Sequence, residues 1–223
     1  MTAENSLPPA AAVPSRRRSA GKKAFKLSLL IVVICAAIWL SREVLLRYAA
    51  QQWIVSDNLE PADAVVILGG GIDTRPFAAA EDYKAGLARK ILVAQVTLGK
   101  AEKLGFVPSH SVINRGILIK LGVPEADIES FGGGLFSTFE EGVALREWAV
   151  RTHARSVIVP IEIFSSRRAH WMLTRALAGT GTTVQIQALD DPSYDRADWW
   201  KTHYGLISFQ NELFKYIYYR FKY

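Results

Sequence analysis

Four short apolar segments limit what this chain can fold into: DAVVILG from Asp63, KILVAQV from Lys90, SVIVPI from Ser156 and TTVQIQAL from Thr182. The first three are almost unbroken runs of valine, isoleucine, leucine and alanine. A strand that is apolar on both sides has to be covered on both sides, which is the pattern of a parallel sheet lined by helices. Helical stretches fall between them, at about 77–89, at 109–121 with Gly122 and Pro124 as stops, ahead of Trp148, and at 165–178 before Gly179. A further short strand is expected at 128–131, and a long aromatic helix from about Ala197. Strands alternating with helices of this length predict an α/β fold, a three-layer sandwich with a mostly parallel sheet. Ligands of such sheets sit at the carboxyl ends of the strands. That places residues 69–75, 95–100, 132–138 and 161–168 on one rim.

Ahead of this pattern, residues 27–40 read LSLLIVVICAAIWL, without a charge. The run is at the short end of the roughly 17–25 residues that cross a bilayer. Lys26 can snorkel and Trp39 can sit at the interface, which lengthens it. A cleaved signal peptide has a similar basic start and short apolar run, but SREVLLRYAA has no clean small-x-small site directly downstream. A buried core helix fits poorly beside RRRSAGKK. The reading adopted is an uncleaved anchor over 24–41. It follows a disordered basic tail over 1–23 and leads through a helical connector over 42–56 into the α/β domain, 57–223. The positive-inside rule keeps the tail in the cytoplasm and places the domain across the membrane, in the periplasm of a Gram-negative cell.

Composition fits that division. Half of the residues are hydrophobic and 22% are charged, which excludes a disordered chain. The net charge of +6 belongs almost wholly to the first 26 residues, where six basic side chains face only Glu4. The rest is near neutral, with no basic face for a nucleic acid. Cys35 is the only cysteine, so no intrachain disulfide forms. The four histidines are scattered, which argues against a metal site.

The candidate site residues come from three motifs. Gly69-Gly70-Gly71 lets the backbone turn sharply near a ligand at a helix start. It is neither GxGxxG nor a P-loop, and a plain strand-to-helix turn explains it equally well. Arg75 adds a cation with a bidentate fork there. In FGGGLFSTFEEG, Ser137 and Glu140 match a capping box, while Thr138 and Glu141 are spare polar groups. Glu141 is a candidate acid or base, set against a plain role in the helix dipole. In PIEIFSSRRAHW, Ser165 or Ser166 can cap a helix whose first turn holds Arg167 and Arg168. Cations are unfavourable at that end. Either an anion such as a phosphate sits in front of them, or one of them pairs with Glu162. The aromatic end, NELFKYIYYRFKY, reads as an amphipathic helix packed on the sheet, with a membrane-surface role as the alternative. No serine or cysteine has an obvious base, and no GxSxG is present.

Taken in order, DAVVILGGG with Arg75, ILVAQV, LGVPEADIES, STFEEG, VPIEIFSSRRA, WW and NELFKY resemble the YdcF-like family, the bacterial envelope-associated group that contains SanA and ElyC. The likeness spans about 61–220. It implies a Rossmann-like domain tethered by one N-terminal helix, with a part in envelope integrity, peptidoglycan assembly or lipid-carrier metabolism. For one relative it implies S-adenosylmethionine binding. Gly69, Gly70, Gly71, Arg75, Thr138, Glu140 and Arg168 match the family pattern. Other positions depart from it. AQVTLGK stands where a Ser-Gly-Gly-like turn is usual, His110 where a glutamate is usual, Ser137 for an asparagine and Ser165 for a histidine. An ordinary imidazole suits proton transfer near neutrality, so His110 joins Glu141 as a catalytic candidate.

The resulting expectation is a membrane-anchored envelope protein. It binds or processes a phosphorylated or lipid-linked cell-wall intermediate, with Arg75 and Arg168 on the phosphate. Whether it is an enzyme stays open, and no cofactor follows. A nucleotide or S-adenosylmethionine binder is the second reading. Gln95-Val96-Thr97 stands where an acidic residue would hold a ribose. A non-catalytic envelope scaffold is the third.

Overall fold

A computed structural model describes residues 16–223, and side chains from residue 22 on. Residues 1–15 of the expected tail lie outside the described residues. From Arg16 the chain is already helical, in α1 (Arg16–Trp53). The chain divides into two compact units, one ending at Leu45 and one running from Leu46 to Tyr223.

Within Lys22–Trp53 of α1 one 18-residue window is apolar enough to cross a membrane, and none of that window is buried. An unburied apolar helix of this length fits hydrocarbon better than water. Arg42 donates to the Trp39 carbonyl at 2.8 Å, and its guanidinium lies 4.4 Å from the centre of the Trp39 ring. That pairing keeps a charge and an indole together, as interfacial side chains do.

The second unit holds a five-stranded sheet, all parallel: β1 (Ala64–Ile67), β2 (Ile91–Val96), β3 (Ile128–Leu135), β4 (Ser156–Glu162) and β5 (Thr183–Leu189), in the order β3-β2-β1-β4-β5. Six helices accompany them: α2 (Arg75–Lys84), α3 (Lys100–Lys103), α4 (His110–Lys120), α5 (Thr138–Thr152), α6 (Ser166–Ala176) and α7 (His203–Lys222). The period of two along each strand divides the core. Ala64, Val66 and Leu68 pack with Leu145 and Trp148 of α5 and Leu173 of α6. Val65 and Ile67 pack with Ala79 of α2 and Leu118 of α4. Both faces of the sheet are thus covered, as its continuous apolar strands require. The chain runs outward from β1 through β2 to β3, then crosses back to β4 on the other side of β1. The connections reverse between β1 and β4.

The compact unit begins before the expected boundary at Asp57. Ala50 and Trp53 of α1 pack into an aromatic cluster with Phe164, Trp199 and Phe209. Trp53 Nε1 donates to the Phe164 carbonyl at 2.8 Å. The end of the expected connector is therefore part of the domain. Gly132–134, expected as a rim loop, instead extends the edge strand β3. The ladder to β2 shifts register after Ala94 and resumes with Val96 opposite Leu135. Gly132 at φ 69° and Gly134 at φ 68° absorb the extra length, a bulge that side chains with a Cβ seldom adopt.

Asp82 of α2 is buried, with Oδ1 accepting from Gln187 Nε2 at 3.1 Å. Among the described residues, Asp82 Oδ2 and Gln187 Oε1, both acceptors, have no partner. Burial pushes the Asp82 carboxyl up to about 6, against the Gln187 hydrogen bond and helped by the charge of Glu81. The folded state therefore holds this proton more tightly than the unfolded chain. Stability is fully present below the ordinary value of 3.8 and declines as pH rises through about 6. Asp82→Asn removes the buried charge and supplies an uncharged N–H donor. Above that pH it should stabilise the fold by on the order of 1–2 kcal/mol, since each pKa unit is worth about 1.4 kcal/mol. Denaturant titrations on either side of the Asp82 value check this; equal stability of variant and parent above it refutes the assignment.

Candidate functional site

The rim segments expected from sequence do converge. Gly69, the end of β2 at Val96 and Thr97, the start of α5 at Ser137 and Thr138, Glu141 and Arg168 line one cleft of about 610 Å³. Gly71, Thr74, Glu162 and Ser165 line a second, of about 420 Å³, with Asp191 and Asn211. Lys215 of α7 borders both. The clefts flank the end of β1, where the chain reverses direction across the sheet.

Between them stands a buried fork. Arg75 is 7% exposed. Its Nη2 lies 2.5 Å from Glu162 Oε2, and its Nε donates to Glu162 Oε1 at 3.1 Å. Its Nη1 donates to the carbonyls of Leu68 and Gly69 at 3.2 and 2.7 Å. Thr74 Oγ1 donates to Glu162 Oε1 at 2.8 Å. Arg75, expected from sequence to sit on a phosphate, clamps the end of β1 to the end of β4. Gly71, at φ 56°, is required here, because a Cβ would run into both Arg75 and Glu162. Burial works against the charge of Glu162. The Arg75 charge and the hydrogen bonds from Arg75 and Thr74 outweigh it and hold the carboxyl below its ordinary range.

Arg168, 8% exposed, is used the same way. Its Nε and Nη2 donate to Glu212 of α7 at 2.6 and 3.2 Å, and its Nη1 donates to Thr138 Oγ1 at 2.8 Å. Lys215 adds a contact to Glu212 at 2.9 Å, and its own side chain stays 55% exposed. Despite burial, these partners hold Glu212 below its ordinary range. Arg167 turns the other way and donates to the carbonyls of Gln52 and Trp53. Arg168 is thus compensated by the protein's own Glu212, and Arg167 by the neutral carbonyl end of α1. Neither pairs with Glu162.

Glu141 is the group left poised. It is 5% exposed and lines the larger cleft. Its Oε1 accepts from the Gly69 N–H at 2.5 Å. Burial raises its pKa, against that hydrogen bond, the charges of Arg75 and Arg168 and a hydrogen bond with Thr138. A carboxyl held this way can lend a proton to a bound oxygen or take one from it. Around it stand Arg168, Lys215 and the open first turn of α5, where Ser137 Oγ accepts from the Glu140 N–H at 3.3 Å. Glu140 reaches back to the Phe136 N–H at 2.7 Å, so it serves the helix start and not the cleft.

The remaining candidates are placed as follows. Gly70, at φ 94°, turns the chain between the clefts. Ser165 lines the smaller cleft and its side chain caps nothing. Ser166 is the buried one, donating to the Ile163 carbonyl at 2.6 Å and accepting from the Val55 N–H at 2.9 Å. His110 is exposed in the first turn of α4 and lines neither cleft. Sequence reasoning missed Glu212, Lys215 and Tyr219 as cleft residues. The Glu-x-x-Lys spacing in NELFKY was the available signal, a charged pair inside an otherwise aromatic helix. No family model matches this chain, and no curated protein matches it.

The two forks predict acid sensitivity. Glu162 and Glu212 stabilise the fold above the ordinary carboxylate range and lose that contribution as pH falls through their lowered values. Glu162→Ala leaves Arg75 buried without its counter-charge and should cost about 3–5 kcal/mol. Chemical denaturation of the detergent-solubilised chain measures this; a loss below about 1 kcal/mol would mean the fork is only a surface pair.

Proposed function

We propose that this is a membrane-anchored envelope protein of YdcF-like type. Its Rossmann-like three-layer domain binds or processes a phosphorylated or lipid-linked intermediate of cell-wall biogenesis, in the larger cleft. The observation that carries the reading is Glu141: a buried carboxyl with a raised pKa, bonded to the Gly69 N–H and flanked by Arg168 and Lys215. With Glu141 neutral, the two cations exceed the single charge of Glu212, and the start of α5 adds partial positive charge. The cleft then favours an anion. With Glu141 ionised, that excess is gone. The reading differs from the sequence expectation in its phosphate contacts: Lys215, Thr138 and the start of α5 take the place of Arg75, while Arg168 keeps its unused N–H groups at the cleft wall.

α1 supplies the membrane tether, with the basic residues of its first turns kept in the cytoplasm and the domain outside. An extracytoplasmic domain has no supply of nucleotide or S-adenosylmethionine. The end of β2 also carries Gln95-Val96-Thr97 and no carboxylate for a ribose. Both points favour the envelope reading.

Binding of a polyprenyl phosphate or of inorganic phosphate to the solubilised chain should weaken as pH rises through the Glu141 value, and Glu141→Gln should flatten that dependence. Lys215→Ala, at a half-exposed position, should weaken binding roughly tenfold, about 1.4 kcal/mol, with little change in stability. Calorimetric titration decides; affinity indifferent to both substitutions removes the cleft as the site. For topology, alkaline phosphatase fused after Tyr223 should be active, and a fluorescent protein that matures only in the cytoplasm should stay dark. The reverse pattern places the domain inside and makes S-adenosylmethionine the ligand to test.

A further inference from the structure

The loops that border the larger cleft, and the chain just beyond them, carry large exposed apolar side chains. Phe136, just after β3, is 80% exposed; Phe106 and Leu104, just after α3, are 80% and 72% exposed. Leu98, between β2 and α3, is 40% exposed and lines the cleft together with Phe136. These residues belong to adjacent loops: Thr97 N–H donates to the Leu135 carbonyl at 2.9 Å, and Thr97 Oγ1 donates to the Gly134 carbonyl at 2.6 Å. α3 follows three residues after Thr97, and its end is closed by Phe106 N–H donating to the Ala101 carbonyl at 3.0 Å. A soluble surface tolerates single exposed apolar residues, but a cluster of large ones in one place marks a contact surface.

The chemistry of the cluster selects the partner. Lys100 and Lys103 are exposed on α3, between Leu98 and Leu104, while Glu102 is turned back onto the Gly99 N–H. Across the cleft the last turn of α7 adds Phe221, 89% exposed, and exposed Lys222. The stacking of Tyr223 on Phe139, with ring centres 4.2 Å apart, holds that turn beside the start of α5. Large apolar tips interleaved with lysines are what inserts among lipid tails while the cations meet anionic headgroups. A second protein surface would favour a flatter patch with fewer lysines at its centre.

We infer that this lip, built on Leu98, Leu104, Phe106 and Phe136 with Lys100 and Lys103, docks on an anionic lipid bilayer. The larger cleft then opens at the headgroup layer, where a lipid-borne phosphate can enter without leaving the membrane. The inference rests on the membrane anchor of the proposed function and not on its ligand.

The test uses the full chain with Cys35→Ser and one new cysteine, Phe106→Cys or Phe136→Cys, carrying an environment-sensitive fluorophore. Ala126→Cys is the control, because Ala126 is exposed in the turn that enters the amino end of β3, away from the rim. The labelled chains are placed in vesicles of phosphatidylglycerol and phosphatidylcholine. Lipid-borne doxyl groups should quench the labels at 106 and 136 several-fold more strongly than the label at 126, and aqueous iodide should do the opposite. Equal, weak lipid quenching at all three positions overturns the inference. So does a lip label shielded from both quenchers, which would indicate a second copy of the chain. Vesicle flotation separates the two readings. A chain that floats without lip quenching sinks the lip alone; a chain that does not float sinks the anchor as well.

Discussion

Everything at the rim is arranged around the fork between Arg75 and Glu162. β1 and β4 are the strands at which the chain reverses across the sheet, and their ends have no common loop to hold them in register. Arg75 supplies the join: two hydrogen bonds to the Glu162 carboxylate at the end of β4 and two to the Leu68 and Gly69 carbonyls just past β1. Burying such a pair costs desolvation, and well-packed apolar residues could match its stability. What apolar residues could not do is fix direction. The fork sets where Gly69 points its N–H, and through that N–H it sets Glu141. The glycine at 71 follows from the same geometry, since the fork occupies the space a side chain would need.

Charge at the rim is shared out in pairs, and the remainder is what matters chemically. Arg75 and Arg168 each face a carboxylate that they hold ionised. Glu141 has no such partner. It feels both arginines at a distance, and burial still raises its pKa. Lys215 is the complementary case, a cation with one contact on Glu212 and half of its side chain in solvent. One carboxyl that can change protonation and one cation that can move therefore share a wall of the same cleft. Rigid pairs set the frame, and the two adjustable groups respond to whatever enters it.

The strands were legible because burial on both faces leaves no room for polar residues. DAVVILG, KILVAQV and SVIVPI became β1, β2 and β4 within a residue or two. Gly132–134 was misread because a glycine run at an edge strand looks the same as a loop; only the resumed pairing of Leu135 with Val96 makes it a bulge. The rim segments were legible from topology alone, since carboxyl ends of parallel strands must meet. The partners of the arginines were not. Two cations in the first turn of α6 do violate the helix dipole, and the inference that an anion must compensate them was physically sound. The compensation for Arg168 is Glu212, 44 residues away in sequence. For Arg167 it is the carbonyl end of α1, which is where a helix welcomes a cation. Contacts of that range leave no local pattern to read.

The pairing changes what mutation of this rim can mean. Removing Arg75 or Arg168 exposes a buried carboxylate and loosens the frame, so loss of function at either position follows whether the protein is a binder, an enzyme or a scaffold. Glu141 and Lys215 are different. A Gln at 141 keeps the acceptor for Gly69 while removing the proton and the charge, and an Ala at 215 removes a half-exposed cation whose partner Glu212 still has Arg168. Function that survives both substitutions could only come from shape and surface, and function that fails at either would come from the cleft.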